Sequence, residues 1–216
     1  MAKILGKATE SGVRLSGATR RKPRQQRAHL SSEALQEAFV RVLMDKGYAK
    51  ATIREIAAVA GVGIGTFYDY VANKDALAAL TIHMHVKQLA IAMAACAERH
   101  RGVPTQVLAA ALIDDQVDRI LSDIPRWAEL FVLERQVSSR TAYSKHYEQF
   151  VSLWQQALAS ASDAMPVALQ PLKARMIHAI VYGWMTQSLI TQGPAVDGQA
   201  LRDEVKAAVS AYLRGG

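Results

Sequence analysis

The chain predicts an all-α protein of about nine helices, with a small three-helix unit followed by a larger helical domain. Three observations carry that expectation. Alanine is abundant while aromatic residues make up only 6%, which favours helix over sheet. Apolar residues recur at three- and four-residue steps from Leu35 onward, the spacing of one helix face. Pro104, Pro125, Pro166, Pro171 and Pro194 fall at starts or breaks of those periodic stretches, where helices tolerate proline. Half of the 216 residues are hydrophobic and 21% are charged, the balance of a globular chain with a sizeable core.

The charge is unevenly placed. Residues 1–30 hold eight basic side chains against one acid, Glu10, and so contain the entire net charge of +7. Rich in Gly, Ser and Thr and lacking an apolar period, this stretch reads as a disordered basic arm, suited either to condensing on phosphate or to passive solubilisation. No apolar run approaches the ~18–20 residues of a membrane span, because Gln88 and His178 interrupt the longest candidates. No secretory leader is recognisable at the start of the chain. The single cysteine, Cys96, excludes an internal disulfide framework and fits a reducing compartment. A cytoplasmic protein without a membrane partner is expected.

Residues 31–76 form the first unit. Leu35, Ala38, Phe39, Val42 and Leu43 line one face of its first helix, with Ser31 or Ser32 as N-cap and Gly47 as the stop. A second helix opens at Thr52, where Thr52-Ile53-Arg54-Glu55 reads as a capping box, and ends at Gly61. Gly63 can cap a short third helix from Ile64 to about Val71. Asn73 caps a long fourth helix that runs to about Arg101. A longer supporting helix followed by two short ones across a tight Gly-containing turn describes a helix-turn-helix DNA-binding unit. Thr66, Tyr68 and Tyr70 can reach phosphate or base edges, and Gly63 and Gly65 permit close backbone approach. Lys74 in the first turn of the fourth helix opposes the macrodipole unless an external anion joins it.

Residues 77–216 read as the second domain. Its later helices are expected at Pro104–Ser122, Pro125–Gln136, Ser139–Asp163, Pro171–Thr191 and Asp197–Leu213. Trp127 and Phe131, with Tyr147, Phe150 and Trp154, supply most of the aromatic surface. Gln88, Gln116 and His178 each interrupt an apolar stripe, and a buried polar group needs a partner, which in a pocket can be the ligand. These eight residues are the candidate ligand site. The helix from Pro171 is apolar almost all round, so Met176, Ala179, Ile180, Gly183 and Trp184 are expected to face a second subunit, joined by Leu201, Val205 and Val209 of the last helix.

Other chemistries are disfavoured. Gly61-Val62-Gly63-Ile64-Gly65 looks like a dinucleotide loop, but it follows an alanine-rich helical segment rather than a strand. His83 and His85, two apart on a helix, point to different faces and make a poor metal pair. No Gly-x-Ser-x-Gly or paired-carboxylate constellation stands out, so no enzymatic activity, cofactor or metal is expected. A helical small-molecule-binding protein or enzyme without DNA binding remains the rival class.

Residues 52–77, TIREIAAVAGVGIGTFYDYVANKDAL, resemble the helix-turn-helix signature of the tetracycline-repressor (TetR) family of bacterial transcription regulators. Thr52, Ile56-Ala57, Ala60-Gly61-Val62, Gly65-Thr66, Tyr68, Tyr70 and Lys74-Asp75-Ala76-Leu77 fall in register. The resemblance implies a nine-helix subunit, a homodimer, double-stranded operator DNA as partner and release by a small-molecule effector. By position it assigns Thr52, Thr66, Tyr70 and Lys74 to phosphates, and Arg54, Ile64, Gly65 and Tyr68 to base edges. Three positions depart from the usual pattern: Gly63 stands for a serine cap, Val71 for a phenylalanine, and Ile64 for a residue able to hydrogen-bond a base.

Overall fold

The computed structural model describes the backbone of residues 21–215 and the side chains of residues 30–215. Among the described residues there are nine α-helices, two short 3-10 turns and no strand. The helices are α1 (Arg21–Lys46), α2 (Ile53–Val59), α3 (Ile64–Tyr70), α4 (Lys74–Arg99), α5 (Thr105–Leu121), α6 (Ile124–Val137), α7 (Arg140–Ala159), α8 (Gln170–Gln192) and α9 (Gly198–Arg214).

Helix α1 begins at Arg21, not at Ser31 or Ser32. The expectation that residues 1–30 form a disordered arm is therefore overturned for residues 21–30, and residues 1–20 lie outside the described residues. The physical reason is intrinsic preference: Arg, Lys, Gln and Ala dominate residues 21–28 and are good helix formers. Pro23 falls in the first turn, where no amide N–H is needed. Ser32 sits inside the helix, where Gln36 Nε2 donates to both its carbonyl and its hydroxyl at 3.2 Å.

The stops behave as read. Gly47 has φ 75° and its N–H returns to Leu43 O at 2.8 Å, ending α1. After α2, Gly61 has φ 69°, with Val62 N–H on Ala57 O at 3.0 Å and Gly61 N–H on Ala58 O at 3.1 Å. That reciprocal pair is a Schellman motif, and the left-handed residue in it is one that only glycine adopts cheaply. The turn between α2 and α3 is thereby fixed. Thr52 accepts from Glu55 N–H at 3.3 Å, but the return half of the capping box is missing, because the Glu55 carboxylate pairs with Lys46 of α1. Helix α7 stops at Ala159, short of Asp163, whose carboxylate instead accepts from the Thr105 amide at 2.6 Å and hydroxyl at 2.7 Å. A side chain assigned to the end of one helix thus caps the start of another.

Leu35, Phe39, Ile56 and Phe67 are fully buried in the small unit, and Leu77 and Ala78 of α4 carry the apolar core onward into the larger domain. There α4, α5, α6, α7 and α8 pack around one another, while α9 lies across α5 and α8. By length and composition α4 could cross a membrane, so the expectation that no segment is apolar enough does not hold for it. Gln88 breaks the run but hardly lowers the mean hydropathy of the window. A core helix passes the same test, and α4 buries Leu77, Ile82, Ala90, Met93 and Cys96 against its neighbours.

Candidate nucleic-acid interface and ligand cavity

The outer surface of α2 and α3 gathers most of the residues expected to meet DNA. Thr52, Arg54, Gly63, Ile64, Gly65 and Tyr68 are exposed, and Thr66 and Tyr70 are half-buried. Ile64 is 43% and Tyr68 55% exposed, large costs in apolar area for residues with nothing to cover. Tyr68 stands edge-on to the buried Phe67 ring, with centroids 5.4 Å apart. Among the described residues nothing pairs with Arg54, since Glu55, its nearest acid in sequence, is taken by Lys46. Gly63 caps α3 without a side-chain hydrogen bond.

Lys74 is the exception. Its ammonium donates to Tyr48 O at 2.8 Å and Ala51 O at 3.1 Å and lies 4.2 Å from the Tyr48 ring centroid. The Tyr48 hydroxyl in turn donates to Asp75. The conflict with the macrodipole is resolved by internal carbonyls and a ring face rather than by an external phosphate, and Lys74 staples the link between α1 and α2 to the start of α4.

A cavity of about 50 Å³ lies in the larger domain. Helix α4 contributes Val86 and Leu89 to its wall, α5 Gln116 and Ile120, and α6 Trp127, Phe131 and Glu134. Helix α7 adds Tyr143, His146, Tyr147 and Phe150, and α8 adds His178, Tyr182 and Met185. Six of the eight candidate ligand residues therefore meet at one place. Gln88 does not: it is exposed, on the face of α4 that also exposes Ile91. The apolar stripe drawn through it is not the buried one. Trp154 is fully buried beside the cavity's helices without lining it, and its indole N–H has no partner among the described residues.

The polar groups of the cavity form two sets. His178 is 4% exposed and stacks on Phe150 with ring centroids 5.5 Å apart and planes 7° apart. Neither ring nitrogen has a hydrogen-bond partner among the described residues, and Nδ1 is fully buried. Burial pushes its pKa from 6.5 down to about 4, so the ring is neutral at ordinary pH. Glu134, 6% exposed, accepts from the Tyr182 hydroxyl and from His146 Nδ1, each at 3.2 Å. His146 Nε2 lies 3.4 Å from Nδ1 of His83, an exposed residue. Burial, then the charge of Glu134, raises the Tyr182 pKa. Glu134 was not anticipated, although it falls three residues after Phe131 and seven after Trp127, on the same helix face. Tyr182, four after His178, carried the same signal. Among the described residues no group of three His, Cys, Asp or Glu side chains could hold a metal ion.

The expected dimer residues divide. Met176, Ala179 and Trp184 of α8 are exposed and Ile180 and Gly183 partly so, forming an open apolar stripe with Leu172. Leu201, Val205 and Val209 are instead buried inside their own subunit. Helix α9 has one apolar stripe, and ion pairs from Arg202 and Lys206 to Asp114 at 3.1 and 2.7 Å turn that stripe onto α5.

One wall of the cavity connects to the first unit. Arg126, adjacent to Trp127, makes a two-pronged contact from α6 to Glu37 of α1 at 3.1 and 3.2 Å. It also pairs with Asp123, the N-cap of α6, at 2.9 Å.

An exposed helix-turn-helix surface joined to a helical domain with an aromatic cavity defines a DNA-binding transcriptional regulator. Residues 35–80 match the family described as "Bacterial regulatory proteins, tetR family". No curated protein matches the chain in sequence. Similar solved structures support the same fold beyond the matched domain. The fatty acid degradation regulator FadR from Bacillus halodurans is 19% identical, with a TM-score of 0.70 over 83% of this chain and 94% of its own. FadR from Bacillus subtilis, solved in complex with stearoyl-CoA, is 18% identical, with a TM-score of 0.65 over 82% and 96%. A TetR transcriptional regulator from Rhodococcus sp. RHA1 is 19% identical, with a TM-score of 0.59 over 87% and 96%.

Proposed function

We propose that the chain is a cytoplasmic homodimeric repressor that holds a palindromic operator and is released when an apolar small molecule enters the α4–α8 cavity. The observation that carries this reading is the joint placement of Trp127 and Arg126 on α6, one lining the cavity and the other tied to Glu37 of α1. At about 50 Å³ the cavity is far smaller than the roughly 300–1,000 Å³ of occupied ligand sites. An occupant must push its walls outward, and α6 transmits that displacement to the DNA-binding unit. Operator binding needs the two α3 helices about 34–36 Å apart. Occupancy that favours another spacing opposes DNA by linkage. Dimerisation is assigned to the open stripe of α8. The stearoyl-CoA of the B. subtilis neighbour is consistent with an apolar ligand body.

Arg54 has the strongest claim to direct readout, because it is exposed, unpaired among the described residues and suited to a bidentate guanine contact. In fluorescence-anisotropy titrations, Arg54→Ala should weaken operator binding by about 1–3 kcal/mol and relax preference at one base pair of each half-site. An equal loss on specific and random duplex would remove Arg54 from base recognition. Failure of the wild type to prefer any duplex over another would remove the regulator reading itself.

A further inference from the structure

We infer that the cavity selects an organic cation, an apolar body carrying a protonated or quaternary nitrogen. The inference rests on the effector-site reading above and names the chemical class that this site takes.

Several rings of the wall meet at an incline. The Trp127 and Phe131 rings meet at 38° with centroids 5.8 Å apart, and Phe131 meets Tyr182 at 88° and 5.9 Å. Rings inclined to one another in this way do not form a single sealed stack. Their negative faces attract a cation that has left water.

Charge in the lining points the same way. Among the described residues the cavity is lined by one acid, Glu134, and by no Lys or Arg. Most buried carboxylates face a fixed cation; this one accepts only from a tyrosine hydroxyl and an imidazole. A carboxylate offers about four acceptor positions, so acceptor capacity remains toward the cavity.

His178 supplies a second acceptor. A neutral imidazole presents one lone pair, and no described group donates to either ring nitrogen. Tyr182 links the two acceptors, with its hydroxyl on Glu134 and its ring centroid 5.6 Å from that of His178. An ammonium N–H would satisfy either acceptor. A quaternary nitrogen would use the ring faces and the Glu134 charge alone. An anionic head group would meet the buried Glu134 carboxylate, beside which the lining places no Lys or Arg and only the His146 imidazole.

Three probes that share a dodecyl chain isolate the head group: dodecyltrimethylammonium, dodecan-1-ol and dodecanoate. Each is titrated into the full-length protein by calorimetry below its aggregation concentration. The wild type should bind the ammonium at least about tenfold tighter than the alcohol, with dodecanoate weakest. Glu134→Gln keeps the side-chain shape and one carbonyl acceptor. It should abolish the cation's advantage while leaving alcohol binding within about twofold, and retained alcohol binding shows an intact cavity. Tighter binding of dodecanoate or dodecanol by the wild type, or an undiminished cation preference in Glu134→Gln, overturns the inference. If dodecanol or dodecanoate also releases operator DNA, the effector site stands and only its charge preference is lost. If all three probes bind a cavity-filling Leu89→Trp variant as they bind the wild type, the cavity is not their site and both readings fall.

Discussion

Two single side chains show how the same polar atom reads differently in sequence and in structure. Lys74 at a helix start suggests a phosphate contact, yet its ammonium closes on two backbone carbonyls and a tyrosine ring. Only tertiary structure brings Tyr48 and Ala51 beside it. Lys74→Met should therefore lower the thermal stability of the protein, by about 1–2 kcal/mol for charge-assisted hydrogen bonds in a half-buried setting. An unchanged melting temperature together with a smaller salt slope of DNA binding would restore the phosphate role. His178 was legible as an oddity because it interrupts an apolar face, and its environment gives it a measurable signature. Its folded pKa of about 4 lies below the ordinary 6.5. Its contribution is therefore fully present above pH 6.5 and is lost as pH falls from 6.5 toward 4. The ceiling is about 3 kcal/mol at ~1.4 kcal/mol per unit. His85, also pushed down by burial, acts in the same direction. His178→Phe preserves the stack on Phe150 and should flatten the decline in melting temperature between pH 6.5 and 4.5. An acid limb as steep as that of the wild type would place the loss elsewhere. Gln116 and Gln88 complete the lesson. Both interrupt apolar runs, but Gln116 is 5% exposed and lines the cavity, while Gln88 faces outward. Periodicity on a long, nearly all-apolar helix such as α4 does not fix which face is inside.

At the scale of elements, the turns and caps were the most legible feature, because glycine at positive φ and side-chain caps act through neighbours in sequence. Gly47, Gly61, Thr52, Asn73 and Asp197 all occupy the stops and starts expected of them. The beginning of α1 was not legible: a basic, non-periodic stretch resembles a disordered arm even where its residues favour helix. The division of α8 from α9 was hidden for another reason. A single apolar stripe shows that a helix is covered, not whether its own subunit or a second one covers it. This separation yields a paired test. Gly183 has no atom within 4 Å of where a Cβ would stand, so Gly183→Lys should leave the subunit folded and convert the proposed dimer to monomer in sedimentation analysis. Val205, 1% exposed, should behave oppositely. Val205→Ala should cost about 1–3 kcal/mol of subunit stability without moving the interface. A dimeric Gly183→Lys protein would place the contact on another face.

At the scale of the molecule, the positive charge is concentrated ahead of residue 31, on the start of α1 and the residues before it. Residues 31–75 contain five bases and six acids, whereas residues 1–30 carry the net +7. Removing residues 1–20 deletes four bases and one acid while leaving α1 whole. It should flatten the dependence of log K on log salt by about 3 units, at about −0.9 per phosphate contact, with operator preference largely kept. An unchanged slope would mean that this stretch does not touch the duplex. The tightness of the cavity has a consequence in time. A chamber of about 50 Å³ walled by five helices admits nothing of effector size until it breathes. Each encounter therefore waits on an internal opening step, and apparent affinity is reduced by the fraction of molecules already open. At high effector concentration the observed association rate should level off at the opening rate rather than climb without limit. The pace at which such a regulator lets go of DNA would then be set by the protein's own clock and not by the abundance of its signal.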